Sequence, residues 1–317
     1  GSSKLILAAV WLAFAMSTAW FVAFRFGIDS GCKYGRPKRD QRGRITMPQV
    51  THRVERRFSP SCRSLSKHWL QIGRGEFAAI GAFVDLEHSL RAVGAPPVLI
   101  DECRRAQIQE RRHADLAIEL VERFSGNRPD FDHDDPTTIT QDLVRLAVES
   151  YLDGCINEGA AAVEAAVRMS DVTDIQIASV LGVIARDEAE HAEVAWLIIE
   201  WAVATGSQQV RNALADLLDH DVDARRGIAR PFWISRRRAA ALGWIDPILC
   251  RRLHPEVVAS ARRRLAELLD PASPARGSRA CDGRRQSSEQ RSLAATSQTI
   301  GCSQSSELVG AFSPRTS

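Results

Sequence analysis

Four stretches of this chain alternate apolar and polar positions at the three-and-four spacing of an amphipathic helix. The first predicted helix runs from about Ser66 to Val93, with Trp69, Ile72, Ile80, Phe83 and Leu90 on one stripe. Gly94-Ala95-Pro96-Pro97 ends it, and Pro97 is tolerated in the first turn of a second helix that reaches about Phe124. After SGNRPDFDHDDP, where Asp135-Pro136 makes a good helix start, a third spans about Thr138 to Met169. Thr173 with Gln176 forms a capping box for the fourth, which ends near Ala204. Short links join the first helix to the second and the third to the fourth, so each pair is expected to be an antiparallel hairpin. The 125–141 link leaves the topology open. Extended, it covers on the order of 50 Å, enough for a crossover that sets the second and third helices parallel, while a plain up-down-up-down bundle needs less.

The flanks have a different texture. From Leu5 to Phe24 the chain carries no charge, about the length a membrane-spanning helix needs. Ser17-Thr18-Ala19 also resembles a signal cleavage site, so a transmembrane anchor and a cleaved signal both stand, and the protein is expected to be membrane-anchored or exported. As an anchor, the segment would be held with the following domain cytoplasmic by Arg25, Lys33, Arg36, Lys38, Arg39, Arg42 and Arg44. The expected organisation is therefore 1–24 anchor or signal, 25–63 basic linker, 64–204 four-helix bundle, 205–270 helical extension, and 271–317 a disordered Ser/Arg-rich tail.

Composition narrows this only slightly. Two tyrosines and a lack of β-branched alternation favour an all-α protein, and a net charge of +3 gives no reason to expect a nucleic-acid partner. The seven cysteines include no CxxC pair, which argues against a disulfide scaffold or a zinc ribbon.

The chemistry lies in the stripes. Residues three apart on a helix lie side by side, and Glu110 with His113 (QERRH) and Glu188 with His191 (DEAEH) are two such pairs. Glu188 falls in line with Ile177, Leu181, Ile184, Ala195 and Ile198, and Glu110 with Leu99, Cys103, Ala106, Ala117 and Leu120. Glu76 lies on the stripe of the first helix, and Glu158 is in line with Ala147, Tyr151, Ala162 and Ala165 on the third. Four helices thus each turn a carboxylate inward, at heights that can coincide at about 1.5 Å per residue from the turns. Converging buried carboxylates need compensation, and two divalent cations supply it.

One Glu on each of two helices and a Glu-x-x-His on each of the other two resembles the ferritin-like di-iron carboxylate superfamily. The strings GEFAAIGAFVDLEHSLRAVGAPP, ERRHADLAIEL, DGCINEGAAAVEA and RDEAEHAEVAW look like a bacterial group of ferritin-like domain proteins, over about 66–204 and loosely to 270. The resemblance implies a ferritin-like four-helix bundle with extra C-terminal helices. Its metal ligands would be Glu76, Glu110, His113, Glu158, Glu188 and His191, with Glu110 and Glu188 bridging and Asp187 as a second-shell acceptor. It implies two Fe ions, or Mn in the same ligands, with O2 or peroxide and an unidentified substrate or reductant as partners.

Other residues receive plainer readings. Glu87 is a boundary residue about three turns from Glu76; Glu149, Asp153 and Glu164 fall on solvated faces of the third helix; and His133 sits in a capped loop. Trp69, Tyr151 and Cys155 read as core. Ala117 stands where a radical-generating subunit keeps a tyrosine, and a rubredoxin-type CxxC module is absent. A small oxidase, hydroxylase or peroxide-handling enzyme remains, beside a ferroxidase-like iron binder, a manganese catalase-like activity, a metal-free structural module, and RNA binding by the ARRGIARPFWISRRR stretch, where solvated arginines are the first reading.

Overall fold

The computed structural model describes residues 36–51, 59–132, 137–219, 222, 233–244 and 246–270. The apolar 5–24 segment, the 271–317 tail, His133, Asp135-Pro136 and most of the arginine-rich connection lie outside the described residues. Among the described residues no helix is long and apolar enough to cross a membrane.

Helix α1 (Pro60–Ala92) starts earlier than the apolar stripe suggests, because Ser59 caps the amide of Cys62 and Pro60 occupies the first turn. It ends at Gly94, whose φ of 73° is the left-handed conformation that closes a helix cheaply only with glycine. Three residues later α2 (Pro97–Ser125) returns against it as a hairpin. The second hairpin is a continuous rod of α3 (Leu143–Glu149), a π-helical segment (Ser150–Glu158) and α4 (Gly159–Asp171), paired with α5 (Ile175–Thr205). The extension contributes α6 (Gln208–Asp216), α7 (Arg236–Ala241) and α8 (Pro247–Leu269). The described residues are mostly helical, with one short ribbon, β1 (Gln49–Thr51) antiparallel to β2 (Asp130–Asp132), and an isolated bridge between Arg39 and Ile45.

Two further helix starts differ from expectation. The third helix begins at Leu143, where Asp142 accepts from the amides of Val144 and Arg145. The residues expected to start it are drawn to α1 instead, with the Thr138 amide donating to Asp85 and the Thr140 amide to Ser89. The fourth helix is capped by Asp174, not Thr173, and the Thr173 amide donates to the Ala241 carbonyl.

The 126–142 link settles the topology. Phe131 stacks on Phe77 with centroids 5.2 Å apart, and Thr140 reaches Ser89, so the link climbs about 18 Å along α1. It delivers Leu146 into the cluster of Leu90 and Leu99, at the end where α2 begins. The rod therefore runs parallel to α2 behind one long crossover.

Part of the basic linker is packed, not solvated. Arg36 and Lys38 are buried, Lys38 pairs with Asp85 at 2.5 Å, and Arg39 grips Asp153 at 2.7 and 2.9 Å. Asp153, expected on a solvated face, is buried beneath this stretch, its carboxylate held by Arg39 and Asn157. Glu164 is also buried, on a helix that α8 packs against. The extension seals the rod through Val210, Leu214, Val258 and Leu265 against Tyr151, Ile156 and Trp196.

Candidate metal centre

Glu76 on α1, Glu110 and His113 on α2, Glu158 at the end of the π-helical segment, and Glu188 and His191 on α5 meet in the interior, none more than 2% exposed. They form two groups. Glu76, Glu110, His113 and Glu188 offer ligand atoms within 4.8 Å of one another, and so do Glu110, Glu158, Glu188 and His191. Glu110 and Glu188 belong to both. The structure thus brings together all six residues proposed as ligands from the sequence.

Both histidines turn Nδ1 toward the carboxylates. His113 Nδ1 lies 3.5 Å from Glu110, 3.6 Å from Glu188 and 3.9 Å from Glu76, while His191 Nδ1 lies 3.2 Å from Glu110 and 3.7 Å from Glu158. None of these approaches has hydrogen-bond geometry. Glu76 Oε2, both oxygens of Glu110, Glu158 and Glu188, and Nδ1 of both histidines are buried with no hydrogen-bond partner. Buried polar atoms are rarely left so, and a cluster of them aimed at a common interior point fits hard cations bound by mixed carboxylate and imidazole donors.

The far nitrogens fix the tautomers. His113 Nε2 is 2.9 Å from Asp187 Oδ2, and Arg112 and Arg186 pair with the same carboxylate. His191 Nε2 is 3.1 Å from Gln109 Oε1, whose amide nitrogen donates to Glu190 at 2.9 Å. Each acceptor oxygen requires Nε2 to carry the proton, which leaves the Nδ1 lone pair of a neutral ring free for a metal. Each partner sits immediately before the Glu of its own motif and holds the histidine of the other helix. Asp187 was foreseen in this role. Gln109 was not, although the parallel between QExxH and DExxH was visible in the sequence.

Without metal, the cluster shares protons. Burial and the neighbouring Glu110 push Glu76 well above the usual carboxylate range, and burial with Glu158 and Glu110 does the same to Glu188. Burial also opposes charge on Glu110, but His113 and His191 outweigh it and hold Glu110 at about 2. Burial works against protonation of His191, yet Glu110 and Glu158 raise it to about 9. His113 is raised likewise, chiefly by Asp187 and Glu110 against burial.

Neighbouring residues are structural. Glu87 is held by Arg91, Arg104 and Gln107 at 3.0, 2.9 and 2.8 Å, away from the cluster. Trp69, Tyr151 and Cys155 are core, and the described cysteines, Cys62, Cys103, Cys155 and Cys250, are free thiols. Gly154 lets the π-helical segment approach α5, since a Cβ there would lie 2.3 Å from Ala195 Cβ.

Fold and site together define a helical protein with a buried carboxylate–imidazole cluster that could hold metal. No family model, curated protein or solved structure matches the chain.

Proposed function

We propose that this chain is a ferritin-like di-metal carboxylate protein that binds two iron ions, with manganese the alternative, and acts as an oxidoreductase using O2 or peroxide. The observation that supports this is the sharing of Glu110 and Glu188 between two four-residue groups, the arrangement a two-metal site needs for bridging carboxylates. Glu76 and His113 would complete one position and Glu158 and His191 the other. Such a metal pair supplies the redox equivalents for oxidation by O2 or peroxide.

The chain's own residues prepare the site for that chemistry. Asp187 and Gln109 hold the imidazoles with Nδ1 inward. Phe83 packs its ring edge-on to His191 at 5.0 Å and keeps water from that side. His113, His191, Glu76 and Glu188 favour their protonated forms without metal, so metal uptake releases protons.

The test is metal content with an optical spectrum after iron or manganese loading. About two metals per chain are expected. A folded protein that retains none removes the reading, and competition between iron and manganese decides the metal.

A further inference from the structure

Between α1 and the rod lies a cavity of about 50 Å³ lined by Arg36, Ala82, Asp85, Leu86, Thr138 and Glu149 among others. It adjoins a surface groove of about 450 Å³ bordered by Arg39, Arg42 and Arg145. The charges around the cavity nearly cancel. Lys38 pairs with Asp85, Arg39 with Asp153, and Arg145 with Glu149 at 2.8 Å. Among the described residues four cations (Arg36, Lys38, Arg39, Arg145) face three carboxylates (Asp85, Glu149, Asp153), and Arg36 is the cation none of these three pairs with.

Arg36 is 6% exposed and its Nε is buried without a hydrogen-bond partner. Among the described residues no carboxylate pairs with it. Its guanidinium lies over the Phe83 ring, 5.5 Å from the centroid, and Phe83 in turn makes an edge contact with His191. A guanidinium taken out of water without a counter-charge is costly, and a bound anion removes that cost. Planar guanidinium donors match the two oxygens of a carboxylate. At about 10–15 Å³ per water-sized group, the cavity has room for roughly three to five heavy atoms.

We propose that this cavity binds the carboxylate group of a small organic acid on Arg36, one aromatic ring away from the metal centre. Larger acids would extend their remaining atoms into the groove. This site does not depend on the cluster holding metal, so its failure leaves the metal reading intact, and the reverse also holds.

The experiment titrates acetate and formate into the full chain, metal-loaded and metal-free, by calorimetry at constant ionic strength with chloride as the reference anion. Both should bind in both states. Arg36→Gln should weaken acetate binding by about thirtyfold or more, the loss expected when one partner of a buried charge pair is truncated. Ala82→Leu, which fills the cavity but keeps the guanidinium, should abolish binding, so the test survives if Arg36→Gln does not fold. Arg42→Gln, altered only in the groove, should bind as the parent does. Absence of binding, equal loss in Arg42→Gln, or binding that survives Arg36→Gln but disappears with Glu110→Ala would overturn the proposal, the last by placing acetate on the metals.

Discussion

His113 and His191 occupy equivalent places on α2 and α5, yet their outer nitrogens meet different oxygens. His113 faces the Asp187 carboxylate, itself gripped by Arg112 and Arg186, whereas His191 faces the neutral amide of Gln109. A carboxylate draws the Nε2 proton more strongly than an amide does, and makes the opposite nitrogen the better donor. The two halves of a nearly symmetric site are therefore chemically unequal. The position completed by Glu76 and His113 is expected to bind metal more tightly and fill first.

The largest effect should come from the residues that erase the distinction. Glu110→Ala or Glu188→Ala removes a ligand from both halves, and metal analysis should find nearly complete loss. Retention of both metals would contradict the shared roles. Glu76→Ala and Glu158→Ala each damage one half, so each should retain about one metal per chain, in the half left intact.

The pH dependence of the metal-free protein comes next. His191 has a folded-state value of about 9 against 6.5 unfolded, so its stabilising contribution is complete below about 6.5 and lost as pH rises through 9. That is on the order of 3 kcal/mol, and Glu76 and Glu188, also raised, act with the same sign. Melting temperature should fall from pH 6.5 to 9 without metal, while metal binding tightens over the same range because bound ligands are deprotonated. A flat metal-free profile would show that the cluster does not hold these protons.

The smallest changes bear on the comparison most directly. Asp187→Asn should weaken the first half-site by about 10- to 100-fold in metal titrations. Gln109→Ala should weaken the second by less, since a neutral acceptor is lost. Gln109→Glu should bring the two affinities together. If Asp187→Asn and Gln109→Ala have equal effects, the asymmetry has no functional weight.

The six clustered residues were legible because each lies on an apolar stripe of α-helical period, and an ionisable residue on such a stripe must be buried. The reasoning failed where other parts of the chain cover a helix. Asp153 was assigned to solvent, and the 36–40 stretch packs over it with Arg39 gripping its carboxylate. Glu164 was misread likewise, since a stripe says nothing of a later helix packing over the opposite face. The crossover was left open because loop length permits either topology, and the contacts of the link with α1, through Phe131, Thr138 and Thr140, decide it. Arg36 had no local signal at all, since burial of a basic residue in an irregular stretch depends on distant helices.

The π-helical segment also bears on how this chain tolerates insertion and deletion. A helix can absorb an extra residue there only by widening its turns, and removing one between Ser150 and Glu158 would restore ordinary helical hydrogen bonding. Because the widened turns absorb the extra residue locally, α3 and α4 would keep their facing after such a deletion, and the change would fall on the segment itself, which carries Gly154 against α5 and Glu158 in the cluster. A variant one residue shorter would be a more regular helix with a disturbed cluster, and so a case in which stability and the cluster select opposite chain lengths.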